Sequence, residues 1–361
     1  MKHSLTLLGA LLLGCATHVP AVEDALSHAA PGSVVLEGWI GGKMRLCLEN
    51  RVMAQDLALI LAPFRERTEE NAGHWRCEYW GKWFTSAAWG YAYEPTAGHR
   101  AVMERGVGGL LATQSPDGYI GTYKPDKHLG IWDVWGRKYT LLGLLADYDL
   151  TGNQRALDAA RRVADHLLQE APPGTVNLAE NGIDVLQGLS SSSILEPIAL
   201  LHQRTGERRY REFAETLIAN WSRPNRFSPH GPQLIEQALA GTPPEKISSR
   251  KAYEMMSCFE GLCEMYRING NRCYPDASVA FAQGIRRTEL MIHGSGSNQE
   301  LWNGGTRAQT ETLEQPVETC VTATWMKLCD QLLRLTGDPL WADELEVSLF
   351  NALLGAMTPD G

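Results

Sequence analysis

The chain has 361 residues, 44% of them hydrophobic and 21% charged, enough apolar material for one large helical barrel or two ordinary domains. Its formal charge of −9 is spread through both halves without a basic run, which excludes nucleic acid and anionic lipid surfaces as expected partners and favours a neutral or small polar substrate. Eleven Trp and eleven Tyr against seven Phe form a polar-tipped aromatic set of the kind that stacks on sugar faces, although a Trp-rich core would use the same residues.

Met1 to Pro20 carries Lys2 and His3 ahead of an apolar stretch from Leu5 to Leu13, too short to span a bilayer and shaped like a secretory signal. Leu12-Leu13-Gly14-Cys15 resembles a bacterial lipoprotein box, so export to the periplasm or outer membrane is expected, with a lipid anchor at Cys15 or a simple cleaved signal as the alternative. The remaining cysteines, at positions 47, 77, 258, 263, 273, 320 and 329, show no disulfide spacing and are expected to be mostly buried thiols. Residues 21–48 read as a partly extended lead-in, and 49–361 as the barrel.

Five short turns share one pattern: Thr96-Ala97-Gly98, Thr151-Gly152-Asn153, Thr205-Gly206-Glu207, Asn269-Gly270-Asn271 and Thr336-Gly337-Asp338. Their glycines follow one another at 54, 54, 64 and 67 residues, the period of a helical hairpin with a longer return loop. Glycine there suits the left-handed position after a helix, and the neighbouring Asn or Asp can cap the next one. Apolar spacing predicts helices near 50–63, 80–93, 98–113, 134–150, 154–169, 191–204, 207–221, 252–268, 274–291, 319–335 and 339–355. That is eleven, whereas an (α/α)6 barrel has twelve. The expected fold is therefore an all-α (α/α)6 barrel lacking its last helix, with the loops at 114–119, 128–135, 223–232 and 294–316 gathered at one mouth.

Glu318-Thr319-Cys320, after Pro316, opens the helix that runs to Leu335. A carboxylate and a thiol two positions apart diverge within a helix but converge in an extended segment. With Thr319 as N-cap, Cys320 falls on the first turn, where the positive end of the macrodipole favours a thiolate. A buried free thiol beside a solvated carboxylate is the plainer alternative.

Several stretches carry a resemblance in this order: Gly38-Trp39-Ile40-Gly41 with Cys47-Leu48-Glu49-Asn50-Arg51, Trp80-Gly81-Lys82-Trp83, Thr113 to Gly121, Trp132-Asp133-Val134-Trp135-Gly136-Arg137-Lys138-Tyr139, and Glu318-Thr319-Cys320. From about Leu36 to Gly361 the chain resembles the DUF1680 proteins, which include the β-L-arabinofuranosidases of glycoside hydrolase family 127. The resemblance implies a retaining glycosidase acting on an oligo- or polysaccharide. It also implies a zinc ion held by Glu318 and Cys320 together with two adjacent later cysteines, one of them the nucleophile that forms a thioglycosyl intermediate. That later pair has no counterpart up to Gly361, nor do the family's β-rich C-terminal domains, so the chain is expected to be an inactive, poorly stable fragment of a longer enzyme.

The acid/base Glu implied by the resemblance falls on Glu300, eighteen residues ahead of Glu318, with Glu311 and Glu314 as nearer alternatives. Glu300 is expected about 5–8 Å from Cys320, with its pKa raised by the thiolate and an apolar cleft. The sugar-contacting histidines of the family are replaced, one of them at Gly136-Arg137, which leaves the sugar open. Trp132, Asp133, Trp135, Arg137 and Lys138 are the expected substrate contacts, with an Asp133–Arg137 salt bridge as the alternative for those two. The rival functions are a metal-independent barrel enzyme, such as an unsaturated-uronyl hydrolase or an epimerase, and a non-catalytic carbohydrate-binding lipoprotein.

Overall fold

In the computed structural model, residues 22–310 and 317–361 are described; the expected signal at 1–20 with Cys15, and Glu311, Glu314 and Pro316, lie outside them. The described residues contain no β-strand, only isolated bridges between helices and loops. The Thr-Gly turns set the architecture. Thr151, Thr205 and Thr336 turn their hydroxyls back onto the carbonyl four residues earlier, at 2.7, 2.8 and 2.7 Å, and accept from the N–H two residues later. Gly152, Gly206 and Gly337 then close the helix at φ 70°, 68° and 68°, a conformation that a side chain would strain. Asn153 caps the following helix by accepting from Arg155 N.

These turns join a central helix to a peripheral one in each hairpin: α3 (Tyr79–Tyr93) to α4 (Ala97–Leu111), α5 (Asp133–Thr151) to α6 (Gln154–Glu170), α8 (Leu195–Thr205) to α9 (Arg208–Asn220), α11 (Ala252–Asn269) to α12 (Cys273–Thr288), and α13 (Thr319–Thr336) to α14 (Leu340–Val347). The first turn departs from the pattern, because Gly98 lies inside α4 and Thr96 is its N-cap, accepting from His99 N. α3 packs on α5, α5 on α8, α8 on α11 and α11 on α13, forming the inner layer of an (α/α)6 barrel. Burial separates the layers. α11 buries sixteen of its eighteen residues, as a helix surrounded on all sides must, whereas α6 buries eight of seventeen along one stripe.

The lead-in holds more structure than its sequence promised. α1 (Gly38–Cys47) runs on through a π-type turn over 48–52, and α2 (Leu57–Glu66) begins only after Asp56, whose carboxylate caps the N–H groups of Ala58 and Leu59. The expected helix at 50–63 is thus two helices. The helix expected at 191–204 also splits, into α7 (Leu189–Ser192) and α8. A short α10 (Leu234–Leu239) was not expected. Ahead of α1, Val22 N and Leu26 N donate to Arg267 O and Arg334 O, both at 3.0 Å. Asp24 between them binds both guanidiniums, at 2.7 Å to Arg267 and 2.9 Å to Arg334, so this strap crosses the C-terminal ends of α11 and α13. The N-terminal ends of the inner helices face the other way.

α3 and α5 approach to backbone contact because glycines line their seam. A Cβ on Gly81 would strike the Tyr139 carbonyl, one on Gly136 would strike Cys77, and one on Gly143 would strike the Trp80 ring. Gly81→Ala is therefore expected to destabilise the barrel by about 1–3 kcal/mol or more through overpacking. Gly42→Ala, on α1 where an added Cβ meets nothing within 4 Å, is expected to be neutral or slightly stabilising. Thermal melting of the two variants checks the contrast, and equal melting points would reject the seam.

Candidate active site

The inner helices begin at the same end of the barrel, so residues of their first turns converge there. α13 starts at Thr319, and the residue at its N-cap is Glu318, extended at φ −76° and ψ 132°, with no side-chain cap. This corrects the expected Thr319 cap by one position: the Glu318 carboxylate turns instead to Cys320, accepting from Sγ at 3.2 Å. Glu300 arrives from a tight turn in which Asn298 pairs with Leu301, and Ser297, Gln299 and Glu300 stand at φ 86°, 53° and 59°. Three non-glycine residues in sparsely populated conformations persist only where the surroundings fix them. Here Ala252 N donates to Glu300 O, and Trp302 N to Arg250 O, both at 2.8 Å. Glu300 Oε1 lies 3.8 Å from Cys320 Sγ, nearer than the 5–8 Å expected, and its other oxygen accepts from Lys251 Nζ.

Electrostatics here run against two expectations. The Cys320 thiol is pushed up, first by burial and then by the Glu318 and Glu300 carboxylates, which outweigh the Lys82 ammonium. Burial would also raise Glu300, but its hydrogen bond to Glu318 and the Lys251 ammonium outweigh it and leave this carboxyl below its usual range. The upward shift falls on Glu318, which burial and Glu300 both push up. The two carboxyls of this pair are thus shifted in opposite directions. The donor atoms of Glu300, Glu318 and Cys320 lie within 4.8 Å of one another. A tetrahedral zinc ion with the usual Zn–S and Zn–O lengths needs donors about 3.5 Å apart, and three protein ligands suffice for a catalytic site. The trio fits such an ion. A bound cation also relieves the crowding of negative charge that keeps the thiol protonated.

Below this cluster Lys82 stands among aromatic faces. Its ammonium is 2.9 Å from Glu78, 4.6 Å from the Tyr253 ring centre and 5.2 Å from that of Tyr139. Burial opposes its charge, but Tyr253 and Glu78 outweigh it and hold the ammonium protonated. The Tyr139 and Tyr253 hydroxyls bond each other, and Trp135 Nε1 donates to Glu78. Glu254, with one carboxylate oxygen unpartnered, is pushed up to about 7 by burial. Deeper still, Lys327 binds Glu196 at 2.7 Å and Glu260 at 2.9 Å, linking α13, α8 and α11. Lys138 is buried without a hydrogen-bond partner, its ammonium 4.6 Å from the Trp135 ring centre, and burial lowers its pKa to about 8.

The expected sugar contacts divide. Trp132 is half-buried at the mouth, its indole N–H donating to Ala72 O at 3.0 Å, and the exposed Trp75 and Tyr79 flank Cys77, whose thiol donates to Trp132 O at 3.5 Å. Trp135 and Lys138 border the interior just described. Asp133 and Arg137 do not reach it. Arg137 pairs with Asp133 and Glu170, each at 2.6 Å, behind α5, with His128, His166 and Tyr119 around them. A fully buried guanidinium needs such partners, which removes these two residues from sugar contact. The same guanidinium is 3.3 Å from His166 Nδ1, so although His128, His166 and Glu170 are spaced like ligands, a cation already sits among them.

Lys82, Glu78, Lys251, Tyr253 and Glu254 escaped selection from sequence, although Lys82 stands inside the Trp80–Trp83 motif and the others lie at or just before helix starts. Their relevance comes from sharing one end of the barrel. Of the groups behind α5, burial alone would raise Glu170, but His128 and Arg137 outweigh it and hold the carboxyl at about 2 against an ordinary 4.5. A depressed folded pKa contributes stability above 4.5 that is lost as pH falls towards 2. Glu170→Gln is expected to cost on the order of 2 kcal/mol near neutrality, discounted for its partial exposure, and progressively less between pH 4.5 and 2. Denaturant titration at several pH values checks this, and a cost that does not change with pH rejects it.

Comparison with known proteins completes the picture. A model of the β-L-arabinofuranosidase GH127 catalytic domain matches residues 46–361. A non-reducing end β-L-arabinofuranosidase of Bifidobacterium longum subsp. longum is 22% identical over 314 residues, covering 78% of this chain and 46% of that protein. Among solved structures, a GH127 β-arabinofuranosidase superposes with a TM-score of 0.67 at 18% identity, over 92% of this chain and 55% of its own. A GH127 β-L-arabinofuranosidase of Geobacillus stearothermophilus T6 gives 0.65 at 15%, over 91% and 57%. A cellobiose 2-epimerase of Bacillus thermoamylovorans B4167 gives 0.54 at 13%, over 86% of both chains, and shows shared fold alone. The chain spans about half the length of the arabinofuranosidases it matches. It belongs to the β-L-arabinofuranosidase GH127 catalytic-domain family of glycoside hydrolases.

Proposed function

We propose that the protein hydrolyses arabinofuranosyl residues from an oligo- or polysaccharide, with the Glu300–Glu318–Cys320 cluster at the barrel mouth as its reactive centre. The observation that carries this reading is the convergence of two carboxylates and a thiol within 4.8 Å in a chain of this family. Glu318 and Cys320 are the residues of this chain that would hold a zinc ion, with Glu300 beside them as the acid/base. When bound, the ion would keep the Cys320 sulfur ionised and supply positive charge beside the sugar. Glu300 is the acid/base, its carboxyl oriented by Lys251 and set 3.8 Å from the Cys320 sulfur. Trp132 offers a ring face to the sugar, and the buried Trp135 and Lys138 stand behind it as the wall of the interior. Family resemblance assigns the nucleophile of a retaining course to a cysteine other than Cys320. The part played by these residues is therefore to bind, orient and protonate. The metal-free epimerase reading has only fold similarity behind it.

Glu300→Gln is expected to lower kcat by about 10²–10⁴-fold on arabinofuranosides with poor leaving groups and far less on activated aryl arabinofuranosides, because only the former need protonation. An equal loss on both classes rejects Glu300 as the acid. Cys320→Ser and Glu318→Gln are expected to lose zinc by elemental analysis, while Cys273→Ser, remote from the cluster, retains it. Full activity after chelation would falsify the metal assignment. We also propose export with acylation at Cys15: fatty-acid labelling should mark the wild type but not Cys15→Ser, and an unlabelled wild type overturns it.

A further inference from the structure

A recess is bounded by the loop at 225–233 together with Gln187, at the entry to α7, and Ser248, just before α11. It has a volume of about 230 Å³, and none of its lining residues is Lys, Arg, Asp or Glu. Its walls offer the amides of Gln187, Gln233 and Gln237, the Ser248 hydroxyl, and the rings of Phe227 and His230. We propose that this recess is a second sugar subsite, binding a neutral sugar residue of the same oligosaccharide whose terminal residue lies at Glu300–Glu318–Cys320. The proposal rests on the carbohydrate reading given above.

Chemistry selects the ligand class. Uncharged amides and hydroxyls beside an aromatic face suit a molecule dense in hydroxyl groups with an apolar ring face, and they offer no counter-charge to a phosphate, a carboxylate or a metal ion. Hydrogen-bonding capacity is free here. Gln237 accepts from the Thr242 hydroxyl at 2.7 Å, which leaves its N–H groups available, and Gln187 is engaged only at 3.5 Å by Ser248. Among the described residues the Gln233 side chain makes no hydrogen bond, although its backbone N–H is anchored to Trp221 O at 2.8 Å.

The walls are also pre-set. Gln187, Gln233 and Ser248 stand at φ 49°, 46° and 45°, so three lining residues without the freedom of glycine are held in left-handed geometry. Asn225 fixes the loop by accepting from Phe227 N at 2.9 Å and Ser228 N at 2.8 Å. Walls fixed before the ligand arrives lower the ordering cost of binding. Chain connectivity links one wall of the recess to a residue that binds Glu300. Ser248 lies three residues before Lys251, which binds Glu300, so their backbones are at most about 10 Å apart. Ser249 Oγ donates to Leu186 O at 3.1 Å, tying the two rims together.

Calorimetric titration of the Glu300→Gln protein, which blocks turnover, with L-arabinose and with a neutral arabinofuranosyl trisaccharide tests this. In that background the trisaccharide is expected to bind at least tenfold more tightly than the monosaccharide. Adding Phe227→Ala with Gln233→Ala, or Gln237→Ala alone as a milder surface change, should bring that ratio close to one while melting temperatures stay within a few degrees. A ratio near one before these changes, or one that they leave intact, overturns the subsite. Should the full-length gene product fail to cleave arabinofuranosides while the ratio persists and responds to the variants, the reaction assignment falls and the subsite stands. Cleavage with an unresponsive ratio removes the subsite and leaves the reaction assignment in place.

Discussion

The contact on which the site depends is the backbone approach of α3 to α5. Gly81, Gly136 and Gly143 remove the side chains that would hold these helices apart. Their neighbours in sequence then become neighbours across the mouth. Lys82, next to Gly81, reaches Trp135 and Tyr139 on α5, and Tyr253 on α11 closes the same group. One wider seam would separate an ammonium from the rings and the carboxylate that keep it charged in a buried place. Packing and electrostatics here are one constraint, because a desolvated charge tolerates little change in distance to its partners.

Charge is arranged unevenly along the barrel. Lys327 is matched by Glu196 and Glu260, and Arg137 by Asp133 and Glu170, so these groups close on themselves. At the mouth, Glu300 and Glu318 crowd one thiol, while Lys251 engages only one of the two carboxylates directly. The imbalance there is visible in the Glu318 carboxyl and the Cys320 thiol, both pushed above their usual ranges. Those deeper ion pairs are balanced within themselves, whereas this cluster remains ready for a cation.

How much could be read in advance follows from the range of the interactions involved. The Thr-Gly turns are local, each hydroxyl bonding within four residues, so sequence revealed them and the helices on either side. α1 was hidden because much of its surface is exposed, Trp39 at 61%, and gives no clean apolar stripe. Glu318 and Cys320 were legible as a pair two residues apart, but Thr319 was given the capping role because its hydroxyl is the usual cap, whereas the helix already starts at Thr319. Arg137 and Lys138, adjacent in sequence, point to different surroundings, one into the ion pairs behind α5 and one towards the interior. No local pattern separates them. Lys251, Tyr253 and Glu254 matter through the common register of the inner helix ends, which only the closed ring defines.

The strap at Val22–Leu26 bears on the order of assembly. Asp24 meets Arg267 and Arg334 across separations of 243 and 310 residues, whereas each hairpin closes over a turn of a few residues. Loop-closure entropy makes such distant contacts late ones, since they gain little until both helix ends already stand side by side. The strap therefore acts as a latch on a preassembled wall. A chain synthesised from its N-terminus must hold this segment in reserve until α13, which lies 310 residues further on at Arg334, has been made.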